Sequence, residues 1–429
     1  MKEKKIKVDY MARVEGEAAL NITVSNGKIE NLKLNIFEPA RFFESFLIGR
    51  KFDEIPELVA RICGICPVSH MLTAIQALED AMEIVPSGET MRLRKLLALS
   101  QWIQSHTLHT YMLAIPDYFG YESVLSMIPE HRELVEQALR LKRLGNDLTV
   151  AIGGREVHPV TPVIGGFTHV PPRDVVKDLL KRFREARKDA QNMVEITTQI
   201  KLPDFTRDIE YLALTSPPQE YPVISGMLAS NKGLKFKKED YRKHIHEVHV
   251  PHSNALHSYV IGRSSFMVGP LARVNLNYSL LAGEARRAAE NNGLKFPYMN
   301  PFYSIPARAV EVLHSIETCI DLLEDLKLKA DQPSITPKEG TGAGVGEAPR
   351  GLLYHWYKIN NKGEIVEADI VSPTAHNAFN IEKDLEEYLP QIISLPEEEM
   401  QLRCEMLVRA YDPCFSCSAH FLKINKRES

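Results

Sequence analysis

The sequence lacks the features typical of membrane, nucleic-acid-binding and secreted proteins. It contains no apolar run of about 18 residues, the length that a membrane-spanning helix needs. The basic start Met1-Lys-Glu-Lys-Lys-Ile is followed by no long apolar stretch, so no secretory signal peptide is predicted. Lys and Arg number 52 against 56 Asp and Glu, and a net charge of −4 indicates neither nucleic acid nor an anionic membrane as partner. We therefore expect the protein in the cytoplasm.

Cysteine is also scarce, with 6 in 429 residues. Four of the six form two Cys-x-x-Cys pairs, which in a cytosolic chain favours metal or redox chemistry over a disulfide framework. The other two, Cys319 and Cys404, fall in predicted helices and are expected to pack as small buried groups. One stretch is rich in histidine, but its spacing is irregular for a single metal site, so we expect solvated or core-lining side chains. These histidines are His244, His246, His249, His252 and His257.

Apolar periodicity predicts mostly helices with a β-hairpin near each end. Alternating apolar residues around Ser25-Asn26-Gly27 predict an N-terminal hairpin, and residues 356–371 predict a second one around Asn360-Asn361-Lys362-Gly363. Apolar residues at helical spacing predict helices over 68–84, 90–115, 131–152, 173–199 and about 396–411. Residues 328–351 are rich in Pro and Gly and are predicted to form a long loop.

These elements predict an α+β fold that is predominantly α-helical. Its body is a bundle of long helices, with small β-hairpin or sheet elements at the N-terminal and C-terminal ends. No composition shift marks a domain boundary. The two cysteine pairs lie at opposite ends of the sequence, so residues 1–429 are expected to close on themselves as one large domain.

The cysteine motifs are Arg61-Ile-Cys63-Gly-Ile-Cys66-Pro-Val-Ser-His70 and Asp412-Pro-Cys414-Phe-Ser-Cys417-Ser-Ala-His420. Each pair places two sulfurs beside one tight turn, and four facing thiolates would bind nickel, zinc, copper(I) or an iron–sulfur centre. A structural zinc site is the common outcome for such pairs. Zinc ribbons, however, usually hold their pairs about 15–20 residues apart, whereas residues 67–413 separate them here. A thioredoxin-like redox pair would need only one motif in a βαβ setting.

The residues around the cysteines resemble those of the large subunit of [NiFe]-hydrogenases, and the likeness extends along the whole chain. It includes both cysteine motifs and several others in the family's order. These are Ala12-Arg13-Val14-Glu15-Gly16, Pro39-Ala-Arg41-Phe-Phe-Glu44, Ser105-His106-Thr-Leu-His109-Thr-Tyr111, Gly165-Gly166-Phe167, Glu347-Ala-Pro349-Arg350-Gly351 and Ser372-Pro373-Thr374-Ala-His-Asn377. The related subunit of respiratory complex I has lost the cysteine pairs, so their presence here favours an active centre over a non-catalytic scaffold.

The resemblance implies a nickel–iron centre that would split dihydrogen heterolytically into a hydride held by the metals and a proton taken by a base, after which the electrons would leave one at a time. Cys63 and Cys414 would be terminal ligands of nickel, and Cys66 and Cys417 would bridge nickel to iron. The iron would also carry carbon monoxide and cyanide ligands, inserted by maturation proteins. By the same resemblance, Glu15 would be the first carboxyl on the proton path.

The resemblance also assigns residues around the centre. Arg350 would be suspended over the metals, where it polarises dihydrogen or hydrogen-bonds a cyanide. Pro349 and Thr374 would surround the diatomic ligands, and Asp412 would pair with nearby arginines. His70 would donate a hydrogen bond to a bridging cysteine.

Two further residues and the C-terminus match family features. Glu44 and His420 correspond to ligands of a second, redox-inactive metal, which is usually magnesium. The family usually cleaves just after this histidine once nickel is in place. The nine residues 421–429 are therefore expected to be an extension that a maturation endopeptidase removes.

Departures from the family pattern favour its cytoplasmic, bidirectional branch. Glu17 stands where many members have His, and Ser105 stands where many have Asp. That branch includes sulfhydrogenases and NAD(P)-linked enzymes, while archaeal deazaflavin- or heterodisulfide-linked hydrogenases remain an alternative. No further cysteine groups could hold iron–sulfur clusters, so the clusters would lie on a small subunit. Flavin would lie on diaphorase-type partner subunits, and nickel-insertion proteins would act during assembly.

Overall fold

A computed structural model describes residues 4–25, 28–216, 220–329 and 331–419. The strands are β1 (Lys4–Val8), β2 (Ala18–Ser25), β3 (Lys28–Ile36), β4 (Pro162–Val163), β5 (Gly166–Phe167), β6 (Leu212–Thr215), β7 (Met227–Ser230), β8 (Lys235–Phe236), β9 (Ile245–His249), β10 (Leu256–Val260), β11 (Gly340–Ala348), β12 (Gly351–Ile359) and β13 (Ile365–Val371). The helices are α1 (Phe43–Leu47), α2 (Ile55–Ala60), α3 (Pro67–Met82), α4 (Gly88–Leu108), α5 (Ile115–Phe119), α6 (Val124–Gly153), α7 (Arg173–Gln199), α8 (Tyr241–His244), α9 (Pro270–Asn277), α10 (Gly283–Asn291), α11 (Ser304–Glu324), α12 (Pro373–Ile392), α13 (Glu397–Ala410) and α14 (Phe415–Ser418).

The body of the molecule is a bundle in which α4, α6, α7 and α11 pack on one another. α4 and α11 are buried over most of their length, and burial of that much apolar surface is the main stabilising contribution. The helices predicted over 68–84, 90–115, 131–152 and 173–199 are present as α3, α4, α6 and α7. α4 passes into a π-helical turn at His109–Ala114, and α6 begins before residue 131 because Ser123 caps it in a capping box with Ser126.

The N-terminal hairpin is confirmed as β2 paired antiparallel with β3, with Leu20 opposite Leu34 and Ile22 opposite Leu32. The Asn26-Gly27 turn that joins them lies outside the described residues. β1 adds a third strand, in register Ile6 opposite Ile22. Burial alternates along β2, so one face of this small sheet is apolar, and that face packs against the main core.

The predicted loop over 328–351 is wrong for residues 340–348, which form strand β11. The alternating glycines are the reason, because they allow α3 to lie directly on the strand. A Cβ built on Gly342 would lie 2.2 Å from the Ala77 carbonyl oxygen, and one built on Gly344 would lie 2.2 Å from the Thr73 oxygen. β11, β12 and β13 form one antiparallel sheet, and the predicted hairpin with its turn at residues 360–363 is confirmed.

This arrangement brings both ends of the chain to one place. Glu15 forms a parallel bridge with Cys414, and the N-terminus of α3 packs beside the sheet that carries Arg350. The predicted last helix is confirmed as α13, and the α+β, mainly helical class is confirmed by the observed elements. None of the helices in the described ranges combines the length and the apolar character needed to cross a membrane.

Candidate metal centre

The four cysteines are delivered by two turns that each lead into a helix. Cys66 is the residue before Pro67, the first residue of α3, and Cys414 precedes α14, which contains Cys417. The Cys63 sulfur accepts hydrogen bonds from the backbone N–H groups of Ile65 at 3.3 Å and Cys66 at 3.2 Å. These two N–H groups thus stabilise negative charge on the Cys63 sulfur.

All four sulfurs are buried as free thiols and lie within 4.8 Å of one another. The Cys63 and Cys414 sulfurs are 3.5 Å apart, and those of Cys66 and Cys417 are 3.6 Å apart. Burial opposes ionisation of Cys63, but hydrogen bonds from the neighbouring thiols and the Arg350 charge lower its pKa well below the ordinary value. Burial raises the pKa of Cys414 and of Cys417, so metal binding would have to displace their protons.

Glu15 contacts the cysteine cluster directly. The Cys414 thiol donates to Glu15 Oε2 at 2.9 Å, and the Ser416 N–H donates to the same oxygen at 3.2 Å. The Ser416 hydroxyl donates to the other carboxylate oxygen. Gly16 allows this approach, since its φ is +84° and a Cβ there would lie 2.8 Å from the Ser416 nitrogen. Glu15 is half-buried, so its carboxyl joins a buried sulfur to the outer part of the molecule.

Arg350 and Asp412 form a buried ion pair beside the sulfurs. Arg350 Nη2 donates to Asp412 Oδ1 at 3.1 Å, and the two side chains are only 3% and 2% exposed. Burial opposes the charge, but Asp412 and the sulfurs of Cys414 and Cys63 raise the Arg350 pKa well above its ordinary range. Arg350 Nε and Nη1 have no hydrogen-bond partner in the part of the chain that the structure describes.

Four soft sulfur ligands with buried, unpaired guanidinium donors beside them fit a nickel–iron centre with polar diatomic ligands. The sulfurs supply the donor set, and the Arg350 N–H groups need acceptors that the described residues do not provide. A structural zinc site would use the sulfurs but would leave the Arg350 donors unexplained.

Thr374 and Pro349 frame the second cysteine motif and the Arg350 turn. The Cys414 N–H donates to Thr374 Oγ1 at 2.8 Å, which ties the motif to the first turn of α12. The Pro349 carbonyl accepts from Arg273 Nη2 at 3.0 Å. Arg273 is itself fully buried and ion-paired with Glu311, so the turn before Arg350 rests on a rigid polar support.

The predicted roles of three residues stay predictions. His70 lies on α3 with Nδ1 at 3.1 Å from His355 Nε2, and its bond to a bridging cysteine stays a prediction. Glu44 lies on α1, where Oε1 accepts from the Ile370 N–H at 2.8 Å. His420, its predicted partner as a metal ligand, lies outside the described residues, as does the extension 421–429.

Two residues that hold the site together were quoted within motifs but were given no role from the sequence. Arg41 Nη2 donates to the Ile62 carbonyl at 2.7 Å and to the Ser416 carbonyl at 2.6 Å, so one guanidinium joins the two cysteine motifs. Ser416 orients Glu15, and its only sequence signal is its position between Cys414 and Cys417. The remaining cysteines, in α11 and α13, are buried as predicted.

Comparison with known proteins gives the family of the chain. Residues 41–142 and 263–420 match the family described as nickel-dependent hydrogenase. The chain is 36% identical over 423 residues to the sulfhydrogenase 1 subunit alpha of Pyrococcus furiosus, with 98% of each chain covered. It is 29% identical over 475 residues to the NAD-reducing hydrogenase HoxS subunit beta of Cupriavidus necator, covering 98% of this chain and 95% of that one. A crystal structure of an NAD+-reducing [NiFe]-hydrogenase in the H2-reduced state superposes with a TM-score of 0.87 at 26% identity, covering 97% of this chain and 99% of that one.

The family match covers more than half of the chain, and the sulfhydrogenase subunit shares nearly its whole length. The fold is that of hydrogenase large subunits, and the clustered thiols supply the expected cysteine ligands. The chain therefore belongs to the nickel-dependent hydrogenase family, as a catalytic large subunit with a cysteine-ligated nickel–iron centre.

Proposed function

We propose that this subunit catalyses reversible oxidation of dihydrogen, with Glu15 taking the proton that is released at Cys414. The 2.9 Å contact between the Cys414 sulfur and Glu15 Oε2, inside a cluster of four thiols, is the observation that carries the proposal. When bound, the nickel–iron pair supplies heterolytic cleavage of dihydrogen and takes up its electrons.

The four cysteines are assigned to two pairs, and each pair has its own role. Cys63 and Cys414 would be terminal ligands of nickel, and Cys66 and Cys417 would bridge nickel to iron. The iron would carry carbon monoxide and cyanide, and the unpaired Arg350 N–H groups would donate to one of these ligands or polarise dihydrogen.

The proton leaves through a carboxyl that is already hydrogen-bonded to the sulfur. A terminal thiolate accepts the proton, Glu15 receives it over a single hydrogen bond, and the Ser416 hydroxyl holds the carboxylate in place. Because Glu15 is half-buried, the proton then has a short path outward. The neighbouring Arg13–Asp117 and Arg409–Asp117 ion pairs fix the backbone that presents Glu15.

Electrons would leave through partner subunits. A small subunit would hold iron–sulfur clusters, and flavin- or diaphorase-type subunits would pass electrons to NAD(P). The similarity to a sulfhydrogenase alpha subunit and to a NAD-reducing hydrogenase subunit supports this acceptor class. The cytoplasm stays the predicted compartment.

Glu44 and His420 would bind magnesium near the C-terminus, and a maturation endopeptidase would remove residues 421–429 after nickel insertion. The Ile370 N–H that donates to Glu44 holds its carboxylate in position. An intact mass of the active chain that ends at His420 is expected. An active chain whose mass still includes Ser429 would contradict the cleavage.

The proposed function is tested on the complex purified anaerobically from its host. The wild-type complex should contain nickel and iron and reduce a viologen dye with dihydrogen. Cys414→Ser should abolish the dye reduction, because it removes both a metal ligand and the proton acceptor. Cys404→Ala is the control and should keep the activity, since Cys404 lies in α13 and packs in a different buried cluster from the four ligand cysteines. A Cys414→Ser complex as active as the control would refute the proposal.

A further inference from the structure

A second group of metal-binding side chains lies outside the hydrogenase centre. His252 follows β9, His257 lies in β10, and Glu382 lies in α12, which packs on β10. Their ligand atoms all lie within 4.8 Å of one another. The site shares no residue with the cysteine cluster or with the Glu44 region.

Glu382 is held in place through one of its two carboxylate oxygens. Oε1 accepts from the Leu34 N–H at 3.1 Å and lies 2.8 Å from His252 Nε2. Oε2 lies 3.9 Å from His257 Nε2, which is too long for a hydrogen bond. The backbone of β3 therefore fixes the carboxylate, while its second oxygen faces the buried histidine.

His257 has a buried nitrogen that no hydrogen bond satisfies. Its side chain is fully buried, and Nδ1 lies 3.2 Å from the Ala255 carbonyl oxygen, so Nδ1 carries the hydrogen. Nε2 finds no hydrogen-bond partner among the described residues. In the neutral imidazole, a hydrogen on Nδ1 leaves a lone pair on the buried Nε2.

A lone pair on Nε2 and a carboxylate oxygen cannot satisfy each other, because both are acceptors. A simple His252–Glu382 ion pair explains only half of the arrangement and leaves His257 Nε2 unsatisfied. A cation between the three groups satisfies all of them. Two imidazoles and one carboxylate, with a water completing a tetrahedron, are a donor set typical of zinc.

The observed separations are compatible with such an ion. Ligands at zinc bond lengths are about 3.4 Å apart along a tetrahedral edge. His252 Nε2 lies 2.8 Å from Glu382 Oε1 and His257 Nε2 lies 3.9 Å from Glu382 Oε2, one distance on either side of that value. His252 is 20% exposed, so its ring can move into place while His257 and Glu382 stay fixed.

We propose that His252, His257 and Glu382 form a zinc site that fastens β10 to α12. The proposal stands apart from the dihydrogen chemistry, although α12 also begins at the turn that holds Thr374 against the second cysteine motif. Zinc bound there would raise the stability of this region through its preference for the folded state.

The test uses the holo complex, dialysed to equilibrium against zinc in the presence of excess magnesium. Magnesium occupies oxygen-rich sites and so isolates nitrogen-containing ones. The wild-type complex should retain one zinc ion more per chain than His252→Gln or Glu382→Gln. Zinc affinity should fall at least about tenfold in each variant, since even loss of an outer hydrogen-bond partner has an effect of that size.

His246→Gln is the matched control, because His246 is an exposed histidine on the adjacent strand β9. It should bind zinc as the wild type does, and zinc should raise the melting temperature of both. Without zinc, all variants should melt alike, which excludes misfolding as the cause. Equal zinc content and equal affinity in the wild type, His252→Gln and Glu382→Gln would overturn the proposal.

Discussion

Replacing Glu15 with Gln removes a group that can hold a proton and leaves almost everything else in place. The glutamine carbonyl can still accept from the Ser416 N–H, which now lies 3.2 Å from Glu15 Oε2. Glutamine at position 15 is as long as glutamate, so it can still contact the Cys414 sulfur. The amide, however, cannot take a proton from the sulfur.

The size of the effect follows from the role of a positioned general base. Loss of such a group lowers turnover by about 100- to 10,000-fold, which corresponds to about 3 to 5 kcal/mol of activation free energy. The contact at 2.9 Å is direct, so no water can readily replace the carboxylate at that position. We expect the loss in turnover, with little change in the dihydrogen concentration that gives half the maximal rate.

The assay compares dihydrogen-dependent dye reduction with isotope exchange between D2 and water. Both should fall together in Glu15→Gln, because both need a proton to leave the centre. Infrared bands of the centre should be unchanged, which shows that it assembled. Glu17→Gln is the control, since Glu17 is also half-buried and its backbone N–H, which the substitution keeps, donates to Glu38 Oε2. Turnover of Glu15→Gln within twofold of Glu17→Gln would refute the reasoning.

Three other perturbations have defined outcomes. Arg350→Met leaves Asp412 buried without its partner, so it should lower unfolding free energy by about 3–5 kcal/mol; an unchanged denaturant midpoint would contradict this. Gly342→Ala places a Cβ within 2.2 Å of an α3 backbone atom and should lower the free energy of unfolding by about 1–3 kcal/mol or more. Gly88→Ala adds a Cβ that meets nothing within 4 Å and should leave the free energy of unfolding, measured by denaturant titration, unchanged. Burial lowers the pKa of His314 to about 4 from 6.5, so the unfolded chain binds the extra proton and stability falls as pH drops from 6.5 to 4. Thermal unfolding across that range should show a weaker pH dependence in His314→Gln, and identical profiles would contradict the assignment.

Much of the fold followed from local patterns. Long amphipathic or apolar stretches gave the bundle helices, and the alternation around the two turns gave both hairpins, because these signals depend on residues close in sequence. The strand β11 could not be predicted in this way. Its glycines resemble a loop until α3 is placed on them, and only then does the missing Cβ at Gly342 become a packing requirement.

The site residues likewise fall into those that local motifs predict and those that only the folded chain shows. The cysteine pairs are short motifs whose chemistry can be inferred from spacing, and the resemblance added Glu15 and Arg350. Contacts between residues far apart in the chain have no pattern in the neighbouring sequence that predicts them. Arg41 reaches carbonyls of both cysteine motifs, and Glu382 lies far along the chain from the histidines that it faces. Such groupings are set by the packing of whole elements, so they emerge only from the folded chain.

The central claim, a nickel–iron centre on these four cysteines, is tested most directly by infrared spectroscopy. The sample is the anaerobically purified complex, taken from fractions that oxidise dihydrogen. The spectrum is recorded in the infrared region where metal-bound carbon monoxide and cyanide absorb. The account predicts one carbon monoxide band and two cyanide bands, all absent from Cys414→Ser. A spectrum without these bands, from a sample whose metal analysis shows zinc in place of nickel and iron, would contradict it.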